Sequence, residues 1–333
     1  MKFLGSLFTF AVVGICSAFA KPDINQEDDT FRYWISDTNY RAMVTGVKDK
    51  YATDITLNPY VVVEGKRYYV NQIAPAAFTN TYVQNINIGS NIESIHINYQ
   101  AFNNANYIRT ITLDTNKVTA DADAFNACGT YIGFSGRGTE SLINDYSKNL
   151  LRSWGLPVNK DYTNISDFNR KQALYKLAKI VHDKFHINDK VAYPSNVASV
   201  LALKQGNYLG IARAFRVLAL NMGFQYNDVH VGGDNYRFYW NYVYVNLHGQ
   251  KRWYNLDIVH SDFPESYRSK VFADTTEQRK VLEDEYRGSH SVNPDDWVIF
   301  NNQYGYPGER KYYPELENFN DWLVRNRAGI RDD

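Results

Sequence analysis

The sequence predicts an α+β chain, with a β-rich solenoid in its first half and a mixed helix-and-sheet unit in its second. Three observations carry this. An Ala-Phe pair recurs at Ala77-Phe78, Ala101-Phe102 and Ala124-Phe125, at intervals of 24 and 23 residues. Three glycines fall within the six residues Gly133-Phe134-Ser135-Gly136-Arg137-Gly138, which punctuates the pattern. Beyond them Ile211, Phe215, Leu218 and Met222 recur at spacings of four, three and four, drawing one apolar stripe along a helix.

Taken in order, the chain opens with Lys2, an apolar run from Phe3 to Cys16 and the small-residue pattern Ala18-Phe19-Ala20. That reads as a secretory leader over 1–20, with the mature chain starting near Lys21. Cys16 invites a lipoprotein reading, but Ile15 before it is bulkier than the small residue usual there. With the leader removed, Cys128 is the single remaining cysteine. No intramolecular disulfide can then form, and stability must come from packed cores. A length of 333 residues accommodates two domains, each able to bury a core; the glycines divide them into 21–137 and 138–333. Formal net charge is zero, so no global field favours nucleic acid or an anionic membrane. No later stretch reaches the roughly 18 consecutive apolar residues of a membrane span. Aromatics form 15% of the chain, with 27 Tyr, a residue whose apolar face and polar tip suit half-wet sheets and binding surfaces.

Imperfect alternation in Phe31-Arg32-Tyr33-Trp34-Ile35 and Ala42-Met43-Val44-Thr45-Gly46 predicts short strands. Glu64-Gly65-Lys66, between Val61-Val62-Val63 and Tyr68-Tyr69-Val70, predicts a hairpin turn. The repeat follows. Ile86-Asn87-Ile88 and Ile111-Thr112-Leu113 lie 25 apart, with Ile92, Ile95 and Val118 between and after them. A period in this range marks units that bury their apolar faces only against neighbours. The period and the Ala-Phe anchor resemble the BspA-type leucine-rich repeats of bacterial surface proteins, over residues 40–130. Ile55-Thr56-Leu57 through Tyr68-Tyr69-Val70 to Ala77-Phe78 is similar to that family's entry segment. Cys128 follows Phe125 by three residues and reads as a small core hydrophobe; a reactive thiol needs a cationic neighbour that the local sequence lacks.

Past the glycines, Asp167 is placed to cap a helix through Ala173, Leu174, Leu177, Ala178, Ile180 and Val181. Gly206-Asn207 turns the chain into the next helix and Gly223 stops it. Gly210, in its first turn, costs about 1 kcal/mol relative to Ala, which points to another backbone passing close. Strands are expected over 236–246 and 251–257, joined at His248-Gly249. After Asp262 no motif stands out, although Phe319, Trp322 and Leu323 suit a closing helix.

Gly206-Asn207-Tyr208-Leu209-Gly210-Ile211-Ala212 resembles the transglutaminase-like core motif, in which Gly-x-Cys-x-Gly-Tyr-Ala opens the helix bearing the nucleophile. Phe238-Tyr239-Trp240-Asn241 and Trp253-Tyr254-Asn255-Leu256-Asp257 are similar to the family's His-x-Trp-Asn and Trp-Tyr-x-x-Asp strands, in the family's order. The resemblance spans residues 140–262, with Tyr193 to Gln205 as the connection into the nucleophile helix. It makes Tyr208, Phe238 and Asp257 the positional equivalents of a Cys-His-Asp site and implies a scaffold without its chemistry. Such a site needs a thiolate, a base that takes its proton and a carboxylate that orients the base. A phenol with a pKa of about 10 replaces the thiol, and Phe238 accepts no proton.

His230, His260, Asp234 and Asp262 flank the same strands and are the candidate substitutes for the lost base or for a metal site. They show no metal-ligand spacing and read most plainly as surface-loop residues. Asp257 reads as a structural acceptor for neighbouring donors. Period two places Phe238, Trp240, Tyr242 and Tyr244 on one strand face. Core packing accounts for part of that run; aromatics lining a former cleft, namely Tyr208, Phe238, Trp240, Tyr242 and Trp253, are also suited to hold a peptide or a sugar face.

The resemblances together imply a secreted or surface-exposed, non-catalytic binding protein of adhesin or host-interaction type, with the periplasm as an alternative location. They imply no metal, no cofactor, no nucleic acid and no membrane span, and a protein, peptide or glycan partner. The rivals are a cysteine-independent acyl-transfer or peptide-hydrolysing enzyme with rearranged residues, and a structural envelope component.

Overall fold

The computed structural model describes residues 24–129, 131–233, 239–247, 250–256 and 258–259. The leader at 1–20, Phe238, Asp257, Asp234, His260, Asp262 and the expected closing helix around Trp322 lie outside them.

The first half begins with an antiparallel meander of β1 (Ile24–Glu27), β2 (Phe31–Ser36) and β3 (Arg41–Val47). After β4 (Asp54–Leu57), β5 (Tyr60–Val63) and β6 (Lys66–Ile73) form the expected hairpin. Its turn residues Glu64 and Gly65 both take positive φ, 50° and 76°, the backbone that matches strand twist in a two-residue turn. The repeats then supply β7 (Asn85–Ile88), β8 (Ser94–Ile97), β9 (Thr110–Leu113), β10 (Lys117–Ala120) and β11 (Gly133–Ser135). Strands β4, β7, β9 and β11 pair in parallel as one sheet. Strands β3, β6, β8 and β10 pair in parallel as a second, which the meander extends. Each coil contributes one strand to each sheet, which makes the first half a β-solenoid.

Between the sheets lie the inward residues of each strand, such as Ile86, Ile88, Ile95, Ile97, Ile111 and Leu113, all buried. The Ala-Phe pairs are buried as the period requires. Phe78, Phe102 and Phe125 stack face to face, with centroids 5.2 and 5.3 Å apart and planes within 6°. Backbone conformation repeats with the sequence: Asn80, Asn104 and Ala127 hold φ of 55°, 56° and 55°.

The stack and the open edge of β10 both end on α1 (Thr139–Ser153). Tyr146 meets Phe125 edge-on at 5.4 Å, beside Phe134 at 5.3 Å. Three polar residues one turn apart on α1 act as the missing strand. Ser141 Oγ accepts the Val118 N–H and donates to the Val118 carbonyl, both at 3.0 Å. Asp145 Oδ2 accepts the Ala120 N–H at 3.0 Å, and Asn149 Nδ2 donates to the Ala120 carbonyl at 2.8 Å. An edge strand with unpaired backbone groups invites association; this stripe satisfies them from within the chain.

The second half continues with α2 (Asp167–Lys184), the short β12 (His186–Ile187), α3 (Val197–Leu203), β13 (Gln205–Gly206) and α4 (Tyr208–Met222). A single 3-10 turn at Tyr226–Asp228 leads into the antiparallel sheet of β14 (Val229–Gly233), β15 (Tyr239–Leu247) and β16 (Gln250–Leu256). Helix α4 packs on β14 and β15 and touches the other three helices. The fold is therefore mixed α+β. Two details differ from the sequence reading. Ser166, not Asp167, caps α2 by accepting the Asn169 N–H, because a hydroxyl serves that position as well as a carboxylate. The connection from Tyr193 to Gln205 holds a helix of its own, α3, capped by Asn196.

Two variants test this architecture. Phe102→Ala removes the middle ring of the stack and is expected to cost about 3–5 kcal/mol, read from the denaturant midpoint against a surface variant. Asp145→Ala orphans the Ala120 N–H and is expected to cost about 1–3 kcal/mol, with faster amide exchange at Ala120 than at Ile97.

Candidate functional site

The position implied for a nucleophile is the first turn of α4. Asn207 is extended, with φ −81° and ψ 178°, and its side chain accepts the Gly210 N–H at 2.8 Å, an N-cap of the kind that satisfies an orphan helix donor. The Asn207 N–H in turn donates to the Pro194 carbonyl at 2.9 Å. That carbonyl is the close backbone anticipated at Gly210: a Cβ there would overlap the Pro194 oxygen and a Val200 methyl. Gly223 ends α4 with φ 115°.

Tyr208 is the first residue of α4 and is half-buried. Its phenol stands where the helix dipole would stabilise an anion, but no thiol is present at that end. Trp253 lies opposite Tyr244 in the β15–β16 register. Trp240 and Tyr242 are buried, at 3% and 1% exposure, with rings 6.0 Å apart and nearly perpendicular. Asn241 between them points the other way, toward α4. Its Nδ2 donates to the Ala212 carbonyl at 2.9 Å and the His230 carbonyl at 3.2 Å, joining helix to sheet.

His230, read from sequence as a surface-loop residue, is instead buried in β14. Its ring lies 6.0 Å from Tyr226, edge to face. Its strand, β14, pairs with β15. Two arginines on α4, Arg213 and Arg216, are also buried. Arg216 lies 4.7 Å from the Tyr226 ring, a cation–π arrangement. Among the described residues no three His, Cys, Asp or Glu side chains gather as a metal site, and no helix is long and apolar enough to cross a membrane.

A second cluster, which the sequence reading did not foresee, joins the two halves. Lys204 ends α3 in a left-handed conformation, φ 57°. Its Nζ donates to the Leu201 carbonyl at 2.8 Å and to the Tyr146 hydroxyl at 3.2 Å. Desolvation pulls the Lys204 amine down to about 8, against an opposing electrostatic effect from Cys128. Burial pushes the Cys128 thiol up to about 11 against the opposing charge of Lys204, so it stays neutral and poorly nucleophilic; its side chain is half-buried, packed against the core rather than within it.

No protein-family model matches the chain, and no curated protein matches it. Solved structures similar to it are a leucine rich cell surface protein from Faecalibacterium prausnitzii and leucine-rich repeat proteins from Bacteroides ovatus and Bacteroides capillosus. The first is 19% identical with a TM-score of 0.29, over 35% of this chain and 31% of the other. The second is 17% identical with a TM-score of 0.24, over 34% and 37%. The third is 18% identical with a TM-score of 0.26, over 35% of this chain and 100% of the other. The chain thus spans about a third of the length of the first two.

The junction cluster gives a pH signature. Between the folded value of about 8 and the ordinary 10.5 of Lys204, the unfolded chain holds a proton that the native state has released, so stability rises with pH. Cys128 acts oppositely between its ordinary 9.0 and about 11. The urea midpoint of wild-type protein is therefore expected to rise relative to Lys204→Met from pH 8 to pH 9; parallel profiles would contradict the buried amine.

Proposed function

We propose that the chain is a secreted or surface-exposed binding protein without catalysis, built from a leucine-rich-repeat solenoid over 21–137 and a degenerate transglutaminase-like unit over 138–333. The observation that carries the non-catalytic reading is Tyr208. A capped helix with its N-terminus against a sheet is where a thiolate would be stabilised, and this chain places a half-buried phenol there. Phe238 and Asp257 take the base and orienting positions in the same reading, and a phenylalanine removes the general base that any hydroxyl nucleophile needs.

Exposure supports the binding half of the proposal. Among the described residues, seven of the nine exposed large apolar side chains are tyrosines, and all precede residue 132. A surface that concentrates rigid amphipathic rings without an aliphatic patch is suited to recognition. The partner is a protein, peptide or glycan at a cell or host surface.

Purified protein is expected neither to incorporate amines into glutaminyl substrates nor to cleave peptides, and alkylation at Cys128 is expected to change nothing. Turnover by wild-type protein that disappears in Tyr208→Phe would overturn the non-catalytic reading.

A further inference from the structure

Four tyrosines border one flat face of the solenoid. Tyr51, Tyr82 and Tyr107 each stand three residues before β4, β7 and β9, and Tyr131 stands two before β11. All four are between 43% and 63% exposed. Tyr51 and Tyr82 stack at 5.4 Å and Tyr82 and Tyr107 at 4.6 Å. In these three the rings cover one another's faces, which leaves ring edges to the solvent at about the spacing of successive strands.

Beside this row, the outward residues of the sheet form two polar columns. One runs Asp54, Asn85, Thr110, Gly133 and the other Thr56, Asn87, Thr112, Ser135. The columns are pre-ordered: Asn85 Nδ2 donates to Asp54 at 2.7 Å, the Thr110 hydroxyl donates to Asn85 Oδ1 at 2.6 Å, and the Thr112 and Ser135 hydroxyls lie 3.3 Å apart. At Gly133 the first column stops. The Tyr193 ring lies over that glycine so closely that a Cβ would overlap it. The face therefore has an amide-and-hydroxyl floor, an aromatic border and an aromatic end.

We propose that this face binds an extended, neutral polysaccharide along the solenoid axis, with Tyr82 and Tyr107 as central contacts and Tyr193 as the end stop. The repetition of one chemistry along the axis fits a polymer. Asp54 is the single charge in the columns, with Lys50 over the Tyr51 ring and Arg109 after Tyr107 at the border. That is no cationic stripe for nucleic acid. A folded protein partner wants an apolar centre, which these columns do not offer. Hydroxyl and amide groups with aromatic edges suit a polyhydroxylated chain. The inference rests on the binding reading above but uses none of the residues around Tyr208.

Affinity electrophoresis of the full chain tests it, in gels containing β-glucan, arabinoxylan, galactomannan, amylopectin or, as the anionic comparison, heparin. At least one neutral polymer is expected to retard wild-type protein, equally at low and high salt. Tyr82→Ala/Tyr107→Ala is expected to weaken that binding at least tenfold and Tyr193→Ala to weaken it less, while Tyr99→Ala, an exposed tyrosine elsewhere, leaves it unchanged. Should the double alanine variant lose its circular dichroism, Tyr82→Phe/Tyr107→Phe keeps the rings, removes the hydroxyls and is still expected to weaken binding. Retardation by no neutral polymer, salt-sensitive retardation by heparin alone, or full binding by folded double variants would each overturn the proposal. None of these outcomes bears on turnover at Tyr208, so the two readings fail separately.

Discussion

The stack of Phe78, Phe102 and Phe125 fixes how the solenoid can be built. Rings held within 6° of parallel and about 5.2 Å apart demand that successive coils advance by one strand spacing without rotating, so both parallel sheets stay in register. Each ring face is covered by the next coil, and a repeat in which units bury themselves only against neighbours must end on something different. Phe134 and Tyr146 supply that end. Both meet Phe125 edge-on, an arrangement that a ring quadrupole favours as well as stacking and one that stops the column, because neither offers a parallel face to a further coil.

The end piece also joins the halves. Tyr146 closes the stack on one side and accepts a hydrogen bond from Lys204 on the other, while Ser141, Asp145 and Asn149 on the same helix hold the β10 edge. The glycines before α1 serve the same close packing. Gly136 takes φ 89°, and a Cβ on Gly138 would meet the Thr115 carbonyl. The buried apolar cluster consequently runs without interruption from Phe31 to Ile258. Burying an amine at this junction carries a desolvation cost that its hydrogen bonds to Leu201 and Tyr146 do not cancel, which is why its pKa falls.

What was legible in the sequence followed from periodicity. Ala-Phe recurrence located the core of each coil, and the stripe through Ile211, Phe215, Leu218 and Met222 located α4; all four of those residues are buried. Gly210 signalled a close backbone, and Pro194 is that backbone. Three features escaped for physical reasons. The polar stripe of α1 carries no apolar period and looks like a solvated face until β10 is beside it. Helix α3 has seven residues, too few for a helical period to declare itself. The tyrosine row is spaced 31, 25 and 24 residues apart, because the β5–β6 hairpin lies between its first two members and hides the period. At the site, sequence assigned Tyr208 its place at the head of α4, but the burial of His230 depends on strand pairing that no local pattern encodes.

The segment Tyr193-Pro194-Ser195-Asn196 ties the two surfaces together. Tyr193 holds φ 57°, and its carbonyl accepts the Asn196 N–H at 3.0 Å. Its ring rests on Gly133 of the solenoid, while the next carbonyl, Pro194, accepts the N-cap amide of α4 with Gly206 and Gly210 pressed against it. Ser195 adds a contact to Arg213 within α4 at 3.4 Å. Neither end of this segment has slack, since side chains at Gly133 or Gly210 would overlap it. Tyr193 and Pro194 are consecutive, so the residue that covers Gly133 and the carbonyl that holds the first turn of α4, which carries Tyr208, belong to one short stretch of backbone. The left-handed turn at Tyr193 thus sends its ring to the solenoid and the following carbonyl to the head of α4, so that one backbone turn fixes the end of the polar columns and the start of that helix.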